Sequence, residues 1–145
     1  MDIVNIKIIP ENDVPIPEYK NYGDAGMDIR ANESCIIEPS EFKLVKTGLK
    51  IELPEGYEAQ IRPRSGLASK FGVTVLNSPG TIDSGYRGEI GVILINHGKN
   101  NFVINKGERI AQLVVSRYSH VNWVVSEELS GSKRGEDGFG SSGVR

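Results

Sequence analysis

Cysteine is almost absent from this chain of 145 residues: Cys35 stands alone, so no internal disulfide can form. Histidine occurs only at His97 and His120, and no Cys/His cluster offers a zinc site. No apolar run approaches the roughly 18 residues needed to span a bilayer. At the N-terminus, Ile3, Val4, Ile6, Ile8 and Ile9 are broken up by Asp2, Asn5 and Lys7. That stretch lacks both the apolar core and the cleavage site of a signal peptide. A GxxxxGK phosphate loop, an HExxH pair and a Ser-His-Asp set are all missing. A large excess of either charge is missing too: the formal net charge is −2, which gives no reason to expect a nucleic-acid partner. A few local arginines can still hold a small anion. The expectation is a cytoplasmic protein without a membrane, with Cys35 a half-buried structural thiol in a reducing compartment.

What is present suits one soluble domain with a single core: 38% of residues are hydrophobic and 25% charged. Strand periodicity is common and helical periodicity scarce. Leu49, Ile51 and Leu53 alternate with Lys50 and Glu52, a half-buried strand. After the turn Pro54-Glu55-Gly56, Tyr57 to Arg62 reads as the returning strand. Ile90 to Asn96 is almost wholly apolar and reads as a strand buried on both faces, closed by a turn through His97 and Gly98. Phe102 to Ile104, Ile110 to Ser116 and Val121 to Val125 are further strands, and Asn105-Lys106-Gly107-Glu108 another turn. Roughly ten short strands at this spacing predict a closed all-β domain, a sandwich or jelly roll. One short helix is expected, capped by Ser65, with Leu67, Ala68 and Phe71 inward. From Ser126 to Arg145 there are five glycines and five serines without apolar periodicity, a disordered tail by composition. Phe139 among glycines and Arg134 five residues before it have no place in a passive tail.

Four other segments carry candidate chemistry. In Ala25-Gly26-Met27-Asp28 the glycine permits close backbone approach and the aspartate places a carboxylate at a strand start; a plain turn fits as well. Pro63-Arg64-Ser65-Gly66-Leu67-Ala68 leads into the helix, where backbone amides and Arg64 favour an anion; a cap without a ligand is the other reading. The run from Asn77 to Glu89 reads as a hairpin-like segment before a buried strand. Asp83 there suits a general base beside the packing platform of Tyr86, or the run is an ordinary loop. In Gly107-Glu108-Arg109-Ile110-Ala111-Gln112-Leu113, Arg109 and Gln112 punctuate an apolar strand, which a solvent-facing edge also explains. With no other nucleophile or base set in view, Asp83 leads as base.

Together these segments resemble the trimeric dUTP pyrophosphatase (dUTPase) family. Its five motifs appear in order: Ala25 to Asp28, Arg64 to Ala68, Gly80 to Glu89, Gly107 to Gln112, and Arg134 to Gly143. Any one is weak; five at family-like spacing are specific. Three positions depart from the pattern. Gly85 stands where many members have an acidic residue, Asp137 replaces a common glycine, and Ile29 replaces the usual leucine.

The resemblance implies a jelly-roll-like β-clip barrel with one short helix, assembled as a homotrimer with shared sites. It divides the chain into a β domain, 1–125, and a C-terminal arm, 126–145, that closes over a neighbouring subunit's site. It implies hydrolysis of dUTP to dUMP and pyrophosphate, supplying dUMP for thymidylate synthesis and keeping uracil out of DNA. Asp83 would deprotonate a water attacking the α-phosphorus, with Mg²⁺ holding the triphosphate. Asp28 would at most touch a metal-bound water. Gln112 and the backbone near Ser65 and Gly66 would hold the α-phosphate, Arg64 and Ser65 the phosphate chain, and Arg109 would support the site electrostatically. The backbone of Gly80, Thr81, Ile82 and Asp83, with Gly91 and the Asn77 side chain, would read the uracil edge. Tyr86 under the deoxyribose would reject a 2′-hydroxyl. Arg134 would reach the γ-phosphate and Phe139 stack on uracil, within an arm that includes Gly140 and Ser141. Two other readings stay open: a dCTP deaminase or deaminase-diphosphatase of the same architecture, and a non-catalytic nucleotide-sensing or protein-binding relative.

Overall fold

A computed structural model describes residues 1–145. Eleven strands and one helix follow in order: β1 (Lys7–Pro10), β2 (Gly26–Arg30), β3 (Cys35–Ile37), β4 (Phe42–Lys46), β5 (Leu49–Glu52), β6 (Tyr57–Arg62), α1 (Ser65–Phe71), β7 (Val73–Val75), β8 (Gly80–Ile82), β9 (Gly91–Asn96), β10 (Phe102–Ile104) and β11 (Arg109–Arg117). They form four antiparallel sheets, ordered β2-β11-β6-β8, β4-β9-β7, β1-β5 and β10-β3. A single cluster of 19 buried residues joins them, with Ile29, Ala111 and Leu113 from the largest sheet and Val45, Val92 and Leu94 from the three-stranded one. The mostly-β architecture with one short helix is as expected, but no sheet closes on itself into a barrel.

Several elements match the sequence pattern, and their partners do not. β5 alternates buried and exposed as its Leu-Lys-Ile-Glu sequence dictates. β6 does not return along it: β5 pairs with β1, while β6 pairs with β11 and β8. Alternation specifies which side chains face inward, not which strand lies alongside. β8 likewise forms no hairpin with β9; it ladders onto β6, and β9 lies between β4 and β7. Nor is β9 buried on both faces. Val92, Leu94 and Asn96 face the core, while Ile93 and Ile95 are half-buried. Residues 121–125 form no strand, and Trp123 is 86% exposed, because no free edge in this chain takes them up.

The helix also differs from expectation. Arg64, not Ser65, is its N-cap, without a side-chain cap bond. Ala68 is exposed; only Leu67 packs on the core, and Phe71 lies outside it against Phe102, with ring centroids 5.4 Å apart. Gly72 ends the helix in the left-handed region at φ 67°, where a glycine carries no Cβ strain. Cys35 is half-buried, and burial pushes its thiol above the ordinary value, as suits a structural cysteine.

Asn96 is a fully buried polar side chain with every group paired. Its Nδ2 donates to the carbonyls of Ile37 and Asn100 at 2.9 and 2.8 Å, and its Oδ1 accepts from the Gly98 amide at 2.8 Å. One residue thus ties β3 to β9 and shapes the turn that follows. Asn96→Ala leaves the buried Ile37 carbonyl unpaired, at about 1–3 kcal/mol, and removes one bond each from the more exposed Asn100 carbonyl and Gly98 amide. Urea unfolding at fixed protein concentration should show a loss of about 2 kcal/mol or more; a loss under about 1 kcal/mol would mean the Ile37 carbonyl finds another partner.

Candidate active site

The sequence-predicted residues fall into three groups. The first gathers where β2, β11 and the start of α1 meet. Asp28 lies in the middle of β2, not at its start, opposite Gln112, which in turn faces Arg62 of β6. Both carboxylate oxygens of Asp28 are taken: Arg64 Nε approaches one at 3.3 Å and Arg109 Nη1 the other at 3.5 Å. Arg64 also donates to the Arg109 carbonyl at 3.0 Å. Gln112 Nε2 donates to the Pro63 carbonyl at 3.0 Å, fixing the amide beside the helix start. Gly26 has a reason other than backbone approach, because a Cβ there would collide with the Gln112 side chain.

These ion pairs do little for stability. Their side chains are about a third exposed, and such pairs are worth roughly 0–1 kcal/mol. What they supply is orientation: two guanidinium groups fixed around one carboxylate. The first intrahelical bond runs from the Ala68 amide to the Arg64 carbonyl, so the amides of Ser65, Gly66 and Leu67 precede the ladder. With no acidic residue in the first turn, this face is set for an anion. Arg30, two residues beyond Asp28 on the same strand face, joins Asp28 and Arg109 in lining an adjoining cavity of about 470 Å³. Sequence reasoning missed Arg30; its i+2 spacing from Asp28 was the available signal.

The second group surrounds a cavity of about 180 Å³, lined by Asn77, Gly80, Thr81, Ile82, Asp83, Tyr86 and Gly91 together with Ile61, Val75, Glu89, Ile90 and Ile93. That is room for a single ring system rather than a drug-sized ligand, whose pockets run about 300–1,000 Å³. Apolar walls and a strand backbone form its interior, while Asp83 and Tyr86 are exposed at its mouth. The Tyr86 amide donates to the Asp83 carbonyl at 3.1 Å, so one turn carries both. The Tyr86 hydroxyl donates to the Glu89 carbonyl at 2.8 Å, and the ring fills the place a Cβ on Gly88 would need. The Asp83 carboxylate has no ion pair or hydrogen bond within the chain. Gly80 sits close to the Asn77 side chain, and a Cβ there would press against it. Gly91 lines the same cavity, and a Cβ there would also meet the Leu44 side chain of β4.

The third group lies on the arm. No strand or helix follows β11, and Phe139 is fully exposed at φ 51°. Arg134 Nε donates to the Asp137 carbonyl at 2.7 Å, turning back on its own segment, with Gly140 and Ser141 in the turns that follow. Neither Arg134 nor Phe139 approaches the other two groups. Those two are also apart. Asp28 and Gly80 stand on the outer strands of β2-β11-β6-β8, three inter-strand steps or about 14 Å from each other.

Fold and site together define a small mostly-β protein with an arginine-rich face and a separate ring-sized pocket. The dUTPase family model matches residues 12–143. The deoxyuridine 5'-triphosphate nucleotidohydrolase of Clostridium tetani is 56% identical over 140 residues, covering 97% of this chain and 96% of the relative. That of Rickettsia bellii is 60% identical over 131 residues, covering 89% and 87%. Among solved structures, the Staphylococcus bacteriophage 80alpha dUTPase with dUPNHPP superposes with a TM-score of 0.90 at 32% identity, covering 97% of this chain and 99% of that one. A mutant dUTPase from phage phi11 of S. aureus, described for its coordination of a structural Mg(II) ion, gives 0.81 at 25% identity over 88% of this chain and 100% of that one. The chain belongs to the dUTPase family. Of its three departures, Gly85 faces open space, Ile29 is fully buried opposite Ala111, and Asp137 lies on the exposed arm.

Proposed function

We propose that this chain hydrolyses dUTP to dUMP and pyrophosphate, supplying dUMP for thymidylate synthesis and keeping uracil out of DNA. The observation that carries this reading is the unpartnered Asp83 carboxylate at the mouth of a ring-sized pocket walled by strand backbone. With the uracil ring in that pocket, Asp83 takes a proton from a water. The water oxygen bonds to the α-phosphorus as the bond to the bridging oxygen breaks, and pyrophosphate leaves. Arg64, Ser65, Gly66 and Gln112 hold the phosphate chain and stabilise its growing charge. Arg109 keeps Asp28 and Arg64 in place.

No three His, Cys, Asp or Glu side chains converge as a metal cage, and both oxygens of Asp28 face arginines. This donor set fits Mg²⁺ that enters on the triphosphate, with Asp28 reaching at most a water around it. When bound, the ion offsets the charge of the phosphates and favours their reactive fold.

The separation of Asp28 from the Asp83 pocket supports a site completed between copies of the chain. In this reading three copies assemble, each arm closes over a neighbouring copy's site, Arg134 meets the γ-phosphate and Phe139 covers the base. Specificity follows from the fixed backbone donors and acceptors. Cytosine reverses one of them and leaves buried groups unpaired, thymine adds a methyl, and a ribose 2′-hydroxyl meets Tyr86. Pyrophosphate release measured with dUTP, dTTP, dCTP and UTP side by side should favour dUTP by about a thousandfold or more. Ammonia release from dCTP would instead make the chain a deaminase. Binding of dUTP without any release would make it a sensor.

A further inference from the structure

Regular alternation would turn Arg109 the wrong way. In a strand, residues 109 and 112 point to opposite faces, because side chains repeat every two residues. Ala111 is buried opposite Ile29, and Gln112 faces Asp28 on the other side. Counting back from Ala111 by strict alternation would send Ile110 outward and Arg109 into the core. Instead the ladder with β2 shifts by one residue between Arg109 and Ala111, and Ile110 and Ala111 are both buried in succession. This bulge inserts one residue, reverses the parity, and brings Arg109 opposite Arg30, onto the face that carries Asp28 and Gln112.

A bulge needs something to hold it, and the 105–108 turn is held at each step. Gly107 takes φ 94°, as the third position of such a turn demands. Its amide donates to the Ala31 carbonyl at 2.7 Å, and the Ala31 amide donates to the Glu108 carbonyl at 2.9 Å. The Lys106 amide donates to Ser34 Oγ at 2.9 Å. The Glu108 carboxylate accepts from the Asn105 amide at 3.0 Å and from Asn105 Nδ2 at 3.1 Å. Those bonds hold its carboxyl below the ordinary carboxylate value, so it is ionised at neutral pH. Arg30 completes the clamp: its Nη1 donates to the Gly107 carbonyl at 2.8 Å.

We infer that Arg30 is a positioning residue for the proposed dUTP hydrolysis, acting through the 105–108 turn and the Ile110 bulge to set Arg109 against Asp28. Arg30 touches the turn, not Asp28, so its effect passes through Arg109. The inference rests on the proposed reaction only for its kinetic readout.

The test uses the full chain with Mg²⁺ and dUTP. Arg30→Leu should lower kcat by about tenfold to a hundredfold. Arg30→Lys should recover most of that, since its ammonium can donate to the same carbonyl. In an Arg109→Gln background, Arg30→Leu should change kcat by less than about twofold, because its effect is already spent. The Nε–Hε resonance of Arg109 in a ¹H–¹⁵N spectrum should move in Arg30→Leu and return in Arg30→Lys. Multiplying losses in the double variant would mean that Arg30 touches the phosphates itself, and would overturn the inference. So would an Arg109 resonance unmoved by Arg30→Leu. If the wild-type chain releases no pyrophosphate from dUTP, the reaction assignment falls, and the resonance still decides the role of Arg30.

Discussion

Replacing Asp83 with asparagine should leave dUTP bound and stop its hydrolysis. The substitution keeps the size and shape of the side chain and removes only its charge and basicity. Nothing structural depends on that carboxylate: it is exposed and pairs with no other side chain, and the turn it sits in is closed by its backbone carbonyl and the Tyr86 amide. Stability should therefore change by no more than about 0.5 kcal/mol. A neutral amide does not accept a proton at neutral pH, so the step that makes the attacking hydroxide loses its base. A positioned general base contributes about 10²–10⁴-fold, and kcat should fall by that much. Removing one negative charge near a triphosphate should hold or slightly tighten binding. Calorimetric titration of the variant with dUTP, alongside pyrophosphate release, separates the two effects. Turnover within about threefold of wild type would take the base away from position 83 and with it the mechanism.

The pocket and the arginine face were legible in the sequence as residue types, and their division into separate clusters was not. Asp83, Tyr86 and Asn77 share one loop region, so proximity along the chain foretold proximity in space. Asp28, Arg64 and Arg109 meet only through sheet order, which depends on long-range pairing that local pattern does not encode. The same limit explains why β6, with its bounds as expected, pairs with β11 and β8 rather than β5. The Ile110 bulge was hidden for another reason. Two adjacent apolar residues read equally well as an ordinary buried strand, and only the register against β2 exposes the extra one. Gly91 lines the pocket it was assigned to, and the neighbouring Leu44 side chain, which the sequence could not place, crowds a Cβ there as well. Val121 to Val125 had a strand's composition without a strand's partner, and composition cannot supply an edge to pair with.

Deleting residues 133–145 should leave the fold intact and cripple the enzyme. Within the chain, the hydrogen bonds of Arg134, Asp137, Ser141 and Gly143 all stay inside the arm, and Phe139 and Val144 are fully exposed. The melting temperature of the truncated protein should match wild type within about 2 °C, because no packing is lost. Activity is another matter. A charged hydrogen bond from Arg134 to a phosphate is worth about 1.5–3 kcal/mol, and stacking of Phe139 on a base about 1–3 kcal/mol. Ordering the arm offsets part of that sum. A fall in kcat/KM of about a hundredfold or more remains, at 1.4 kcal/mol per tenfold. Whether the arm serves its own subunit or a neighbour follows from mixing two inactive proteins. Asp83→Asn has an intact arm and no base; the truncated chain has an intact base and no arm. Unfolded and refolded together, they should form mixed assemblies in which a full-length arm covers a pocket with an intact Asp83, and activity should return. If each arm closes over its own pocket, no mixture has a complete site. A mixture as inactive as its parts would then confine the arm to its own subunit.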